Sequence, residues 1–182
     1  MEQTMHRVII IILIFSSVVG CQSANTTRVS SSFDAETIDR IAIIVQDRQG
    51  RGPVSGENRH RLVEDILTQE AFVKGYRVVS RTDLRMILEE SEFQRTSGLT
   101  TGDAVEIGRM LNVPAILIAT FETGQTTTVG ARLIDVETAE VLWITNMRGV
   151  LPLSSALTLT GDELEEAAKA VGRALPERVD SL

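Results

Sequence analysis

Apolar residues recur along the chain with two distinct periods, and the period changes where turn residues cluster. Ile41-Ala-Ile-Ile-Val45 and Pro114-Ala-Ile-Leu-Ile-Ala-Thr-Phe121 are short, β-branched and almost wholly apolar. Such runs suit strands covered on both faces, because a solvated face would show polar residues at every second position. Tyr76-Arg-Val-Val-Ser80 predicts a further strand between them. Gly130–Val136 and Glu140–Asn146 flank Glu137-Thr-Ala139 and predict a hairpin. If Val136 pairs with Glu140, Leu133 meets Trp143 on one face and Ile134 meets Leu142 on the other. Residues 114–146 are therefore expected to form the centre of a sheet.

Between these runs the spacing is helical. A helix is predicted from about Glu57 to Lys74, with Leu62, Val63, Ile66, Leu67 and Val73 on its apolar face. Thr82 is expected to cap a second, which carries Leu84, Ile87 and Leu88 and ends near Gly98. Thr101 or Asp103 opens a third, with Ala104, Ile107, Met110 and Leu111 on one side and Gly108 marking a close approach. Asp162–Val179 is the last, with Leu164, Ala167, Ala168, Val171 and Leu175 as its stripe and Pro176 interrupting near the end. The order β-α-β-α-α-β-β-β-α predicts an α/β sandwich, one domain over 36–182 with a mixed sheet packed by helices. At 182 residues and 43% hydrophobic content, one substantial core is the expectation.

Several of these blocks, taken in order, resemble a known family. They are Ser80-Arg-Thr-Asp-Leu84 with Ile87-Leu-Glu-Glu90, Ser97-Gly-Leu99, Ala104-Val-Glu-Ile-Gly108, Leu111-Asn-Val-Pro-Ala115, and Ala131-Arg-Leu-Ile-Asp-Val136 with Glu140-Val-Leu-Trp143. The series is similar to the domain of CsgG-type curli-secretion lipoproteins, and more distantly to lipoprotein activators of penicillin-binding proteins. It covers roughly Ile41 to Ala174 and implies an α/β body without a catalytic motif. Members of that family often carry glycine where this chain has Ala139. A three-residue hairpin loop needs its last residue in the left-handed region, so either the turn is mildly strained or its type differs. Curli-type pores also insert long hairpins that line a membrane barrel. Here only Glu122-Thr-Gly-Gln-Thr-Thr-Thr-Val129 separates Phe121 from Gly130, and aromatics make up 4% of the chain. Neither this stretch nor 47–57 holds barrel strands, which take about 9 to 11 residues each with aromatic girdles.

The N-terminal end reads as a processing segment. His6-Arg7 is weakly basic, Val8–Phe15 is an uninterrupted apolar run, and Val18-Val-Gly-Cys21 resembles a lipobox. The run is shorter than the roughly 20 residues of a spanning helix. Residues 1–20 are expected to be a lipoprotein signal peptide. Cys21 is the only cysteine. A lone cysteine in an exported chain suits a free thiol or an intermolecular disulfide, and its place at the end of an apolar run points to lipidation. Multiple acyl chains hold a protein on a bilayer where one would not. Gln22 after the cysteine, by resemblance to enterobacterial sorting, favours the periplasmic leaflet of the outer membrane. The Ser-, Thr- and Asn-rich residues 21–35 are expected to form the lipidated cysteine and a flexible tether.

Charge and residue inventory then narrow the function. A net charge of -7 argues against a nucleic-acid surface, which needs a basic footprint. The loop and helix start at 47–61 nevertheless concentrate Arg48, Arg51, Arg59 and Arg61 with His60, which suits either a solvated loop or contact with an acidic partner. Gly50, Gly52 and Gly56 fit neither phosphate-loop spacing. The only histidines are His6 and His60, which excludes multi-histidine zinc sites and, with Cys21 lipidated, Cys-His pairs. No enzymatic activity, cofactor or metal is expected. What remains is a lipid-anchored periplasmic protein that binds a protein partner in envelope assembly or secretion. The alternatives are an activator lipoprotein of a peptidoglycan synthase and a component of a homo-oligomeric secretion complex. The candidate surfaces are the four arginines and Val150–Leu159, which also suits an edge strand or core connection.

Overall fold

The computed structural model describes residues 25–48, 55–90, 99–122, 127–148 and 162–178. It contains strands β1 (Thr26–Val29), β2 (Arg40–Asp47), β3 (Arg77–Val78), β4 (Ala115–Glu122), β5 (Thr128–Asp135) and β6 (Val141–Arg148). The helices are α1 (Ser55–Val73), α2 (Arg81–Glu90), α3 (Thr101–Met110) and α4 (Asp162–Arg173). From β2 onward this is the expected α/β order. The strands form one mixed sheet in the order β1-β6-β5-β4-β2-β3. β2 pairs parallel with β3 and β4, and the remaining neighbours are antiparallel.

β4 explains why the centre of the sheet needs apolar residues at every position. Ala115, Leu117, Ala119 and Phe121 join one buried cluster with Val63, Ile66, Leu67 and Ala71 of α1 and Leu164, Ala167, Ala168 and Val171 of α4. Ile116 and Ile118 point the other way, into a cluster with Leu84 of α2 and Ala104, Val105 and Ile107 of α3. Two helices thus cover each face, and successive residues of β4 are buried in opposite directions. Two residues expected on helical apolar faces lie outside the core. Val73 is 77% exposed and Met110 48%, since both sit in last turns, where the helix runs off the sheet.

Helix ends are fixed by short-range chemistry. Thr100 caps α3 in a capping box, its side chain accepting from Asp103 N–H while the Asp103 side chain accepts from Thr100 N–H. Ser80, rather than Thr82, caps α2: Asp83 N–H donates to Ser80 Oγ at 3.2 Å, and Ser80 Oγ donates to the Asp83 carboxylate at 2.7 Å. α1 closes on Gly75 at φ 86, with Gly75 N–H donating to Phe72 O and Tyr76 N–H to Ala71 O. α3 closes in the same pattern on Asn112 at φ 52. Asparagine tolerates the left-handed region better than most side chains. α2 is described to Glu90, so its expected end near Gly98 lies outside the described residues, as does Val150–Leu159.

The sheet differs from the sequence reading in two places. The expected tether contains a strand: Thr26–Val29 pairs antiparallel with Trp143–Asn146, and the Thr27 and Thr145 hydroxyls lie 2.7 Å apart. Threonine and valine favour extended backbone, and the open edge of β6 supplies the ladder partner. All four residues are exposed, so no burial pattern marked them. In the hairpin, Leu133 does meet Trp143, but a register shift follows and Ile134 pairs with Val141 rather than Leu142. A bulge of this kind adds one residue to one strand and reverses which side chains share a face.

Candidate functional site

The mixed topology leaves one strand edge short of a partner. β3 pairs only with Arg40 and Ile41 of β2, whereas β4 follows β2 from Ile41 through Asp47. Among the described residues, no strand pairs with Ile43–Asp47 on the side away from β4. A cleft of about 480 Å³ opens there between α1 and α2, with Ile43, Ile44 and Val45 as its floor. Leu84 and Leu88 of α2 form an apolar wall, and Arg61, Glu64, Arg85 and Glu89 stand around it.

Arg81 ties the two helices that frame the cleft. Its Nε donates to Glu64 at 2.9 Å and its terminal nitrogen to Asp65 at 2.7 Å. The hydrogen bond to Glu64 leads in pushing the guanidinium above its ordinary value, with Asp65 adding to it. His60 is half-buried beside the cleft, its ring 5.3 Å from that of Phe121 in an edge-on arrangement. Burial lowers its pKa, against the opposing pull of Asp47 and Glu64, so at neutral pH it is an uncharged packing group. Among the described residues, no group of three or more His, Cys, Asp or Glu is placed to hold a metal ion. No described helix is long and apolar enough to cross a membrane.

The four candidate arginines do not behave as one unit. Arg48 is exposed at the end of β2, and its N–H donates to Phe121 O at 3.0 Å. Arg61 is exposed and lines the cleft, Arg59 is half-buried on α1, and Arg51 and Cys21 lie outside the described residues. Sequence reasoning missed Arg81 and Arg85, which bring the α2 side of the cleft its positive charge. Their spacing of four on a predicted helix puts them on one face, a signal that becomes useful only when the neighbouring helix is known.

No family model matches the chain, and no curated protein matches it. Among solved structures, the chain is similar to the PelC dodecamer from Paraburkholderia phytofirmans, at 16% identity and a TM-score of 0.47, covering 86% of this chain and 100% of that one. The LpoB C-terminal domain from Escherichia coli aligns at 18% identity and a TM-score of 0.49, covering 65% of this chain and 88% of that one. A lipoprotein from Neisseria meningitidis aligns at 16% identity and a TM-score of 0.41, covering 73% and 93% of the two chains. All three TM-scores are below 0.5, which assigns this chain neither the partners nor the assemblies of those proteins.

Proposed function

We propose that this protein is a lipid-anchored domain on the periplasmic side of the bacterial envelope that binds a protein partner close to the membrane. The observation that carries the reading is the shortness of the connection between Cys21 and the sheet. An apolar run ends in Gly20-Cys21, and β1 begins five residues later at Thr26. Even fully extended, five residues span at most about 18 Å. A lipid on Cys21 would hold the β1 edge within that distance of the bilayer, far closer than a tether running to residue 35 would. The partner surface then lies near the membrane, and a partner deep in the peptidoglycan mesh is out of reach. This favours an adaptor in envelope assembly or secretion over a long-armed synthase activator.

The test is chemical crosslinking in cells of the full-length chain, with adducts identified by mass spectrometry, alongside a Cys21→Ser variant. The expected result is a heterologous adduct in the membrane fraction that disappears when Cys21→Ser releases the domain. Adducts only at multiples of the chain's own mass would replace this reading with a homo-oligomeric scaffold. Replacing Arg48, Arg51, Arg59 and Arg61 by Ser is expected to leave folding intact and weaken capture. Unchanged capture would remove the arginines from the partner surface.

A further inference from the structure

From the exposed face of β1 and β6 we infer that the domain lies with this face against a bilayer bearing anionic phospholipids. This rests on the anchoring proposed for Cys21. Residues directly opposite one another in an antiparallel pair share a face. The register therefore sets one row across four strands: Ile118 of β4, Arg132 of β5, Ile144 of β6 and Arg28 of β1. Ile118 is buried in the cluster that holds Leu84 of α2 and Ala104 of α3. Cover is lost along the row, since Arg132 is half-buried, Ile144 is 47% exposed and Arg28 is exposed. Asn146 and Arg148 follow Ile144 on the same face and are exposed too. α4 covers the opposite face, where Trp143 and Met147 are buried. An isoleucine between two arginines suits lipid: guanidinium groups reach phosphate while the apolar side chain enters the headgroup boundary.

Charge and reach select the occupant. Arg28, Arg132 and Arg148 stand on this face of a chain whose net charge is -7. The carboxylate on the same rows, among the described residues, is Glu122 at the β4 margin, across Thr128 from Arg148. Arg132 donates to Leu99 O at 3.0 Å, and Asp103, close by in sequence at the start of α3, is held in the Thr100 cap. The acidic hairpin residues Asp135, Glu137 and Glu140 lie at the other end of β6 from Arg148. Arg148 N–H donates to Asn25 Oδ1 at 3.3 Å, so the chain reaches the sheet at the Arg148 end, away from that hairpin. The five residues from Cys21 to Thr26 keep the face within about 18 Å of the anchor. One exposed isoleucine offers little apolar area to a protein, whereas a bilayer already held within reach needs only weak contacts.

The test places the full-length lipidated chain in vesicles of phosphatidylcholine, with or without phosphatidylglycerol. A fluorescent thiol label is attached at Asn146→Cys, on the proposed face, or at Val29→Cys, 54% exposed on the opposite face of the same strand pair. A lipidated Cys21 has no thiol to compete for the label. Contact is read as quenching by nitroxide-bearing lipid headgroups. The expected result is strong quenching at position 146 and weak quenching at position 29, with phosphatidylglycerol present. Arg28→Gln should lower the ratio of contacting to free domain about fivefold, with a thermal midpoint near that of the parent. Equal or absent quenching at the two positions overturns the inference and leaves the anchor standing. Quenching at 146 that ignores both Arg28→Gln and phosphatidylglycerol does the same. Benzoylphenylalanine at 146 in cells should attach to lipid; attachment to a protein, a second copy included, overturns the inference. Labelling of the parent chain at Cys21 would reveal an unlipidated thiol and overturn the anchoring and the inference together.

Discussion

Ala139 concentrates the chemistry of the hairpin into one residue. Its φ of 62 puts an L-side chain in the left-handed region, so the strained form of the turn is the one the chain adopts. Asp135 holds that turn: its Oδ1 accepts from Glu137 N–H at 2.9 Å, Thr138 N–H at 2.7 Å and the Thr138 hydroxyl at 3.0 Å. Ala139→Gly is expected to raise stability by about 1 kcal/mol, read as a shifted urea midpoint with unchanged slope. His60 makes a different prediction at this scale. Its folded-state pKa lies below the unfolded value of 6.5, so the unfolded chain takes up the proton first as pH falls. The stability it contributes is complete at neutral pH and is lost progressively below about 6.5, through the lowered folded value. His60→Phe keeps an aromatic ring against Phe121 and should flatten the fall in thermal midpoint between pH 7 and 5. An equal fall in both proteins would clear His60 of that role. Tyr76 has the opposite sign. Burial pushes its phenol up to about 12, and its hydroxyl donates to Pro176 O at 2.9 Å, so its contribution is present below pH 10 and fades as pH climbs from 10 toward 12.

Elements meet most closely where side chains are missing. A methyl added at Gly108 of α3 would lie 2.3 Å from Val136 Cγ2 and 3.3 Å from Ile116 Cδ1. Alanine would improve helix propensity by up to about 1 kcal/mol, yet overpacking a buried contact typically costs about 1–3 kcal/mol. Packing wins here because Val136 is itself buried against the strand. Gly108→Ala should therefore lower unfolding free energy by about 1–2 kcal/mol, and adding Val136→Ala should relieve part of the clash in a double-mutant comparison. The equivalent methyl at Gly172 of α4 would lie 2.5 Å from both Cβ and Cγ of Glu70 on α1; Cβ is held by the helix backbone, so α1 and α4 would have to shift apart and the loss should be at least as large. The stripe that buries α4 was legible in sequence because Leu164, Ala167, Ala168 and Val171 repeat with the period of one face, while Leu175, expected on the same helix, is buried just beyond its end at Arg173. The end of α1 was less so, since Val73 continues that period beyond the edge of the sheet.

For the molecule as a whole, β1 decides where the chain joins the sheet. It closes the β6 edge and brings the chain's N-terminal side to the margin of the sheet. Replacing Thr26–Val29 with a Gly-Ser sequence is expected to reduce amide-exchange protection along Trp143–Asn146 while leaving β2 and β4 protected. Unaltered protection along β6 would show that β1 contributes nothing to the ladder. Under the anchoring proposed for Cys21, the same replacement lengthens the reach to the folded domain. Capture of a partner close to the membrane should fall with it.

The sequence by itself determined what depends on neighbours a few residues apart. Apolar period set β2, β4 and the helix faces, the start of α3 was expected at Thr101 or Asp103 although Thr100 caps it, and Gly108 announced a close approach. The apolar run ending at Cys21 set the expectation of an anchor. Tertiary structure decided what depends on segments far apart in the chain. The Thr27–Thr145 contact joins residues 118 positions apart, and an exposed edge strand carries no burial pattern to announce it. The bulge at Leu133 and Ile134 arises from fitting two strands together, so neither strand alone encodes it. Arg61 acquires Arg81 and Arg85 as neighbours because β3 is too short to cover β2, which lets α1 and α2 stand on either side of an open edge. Local patterns fix which elements form; the pairing of distant strands fixes which edges stay open among the described residues.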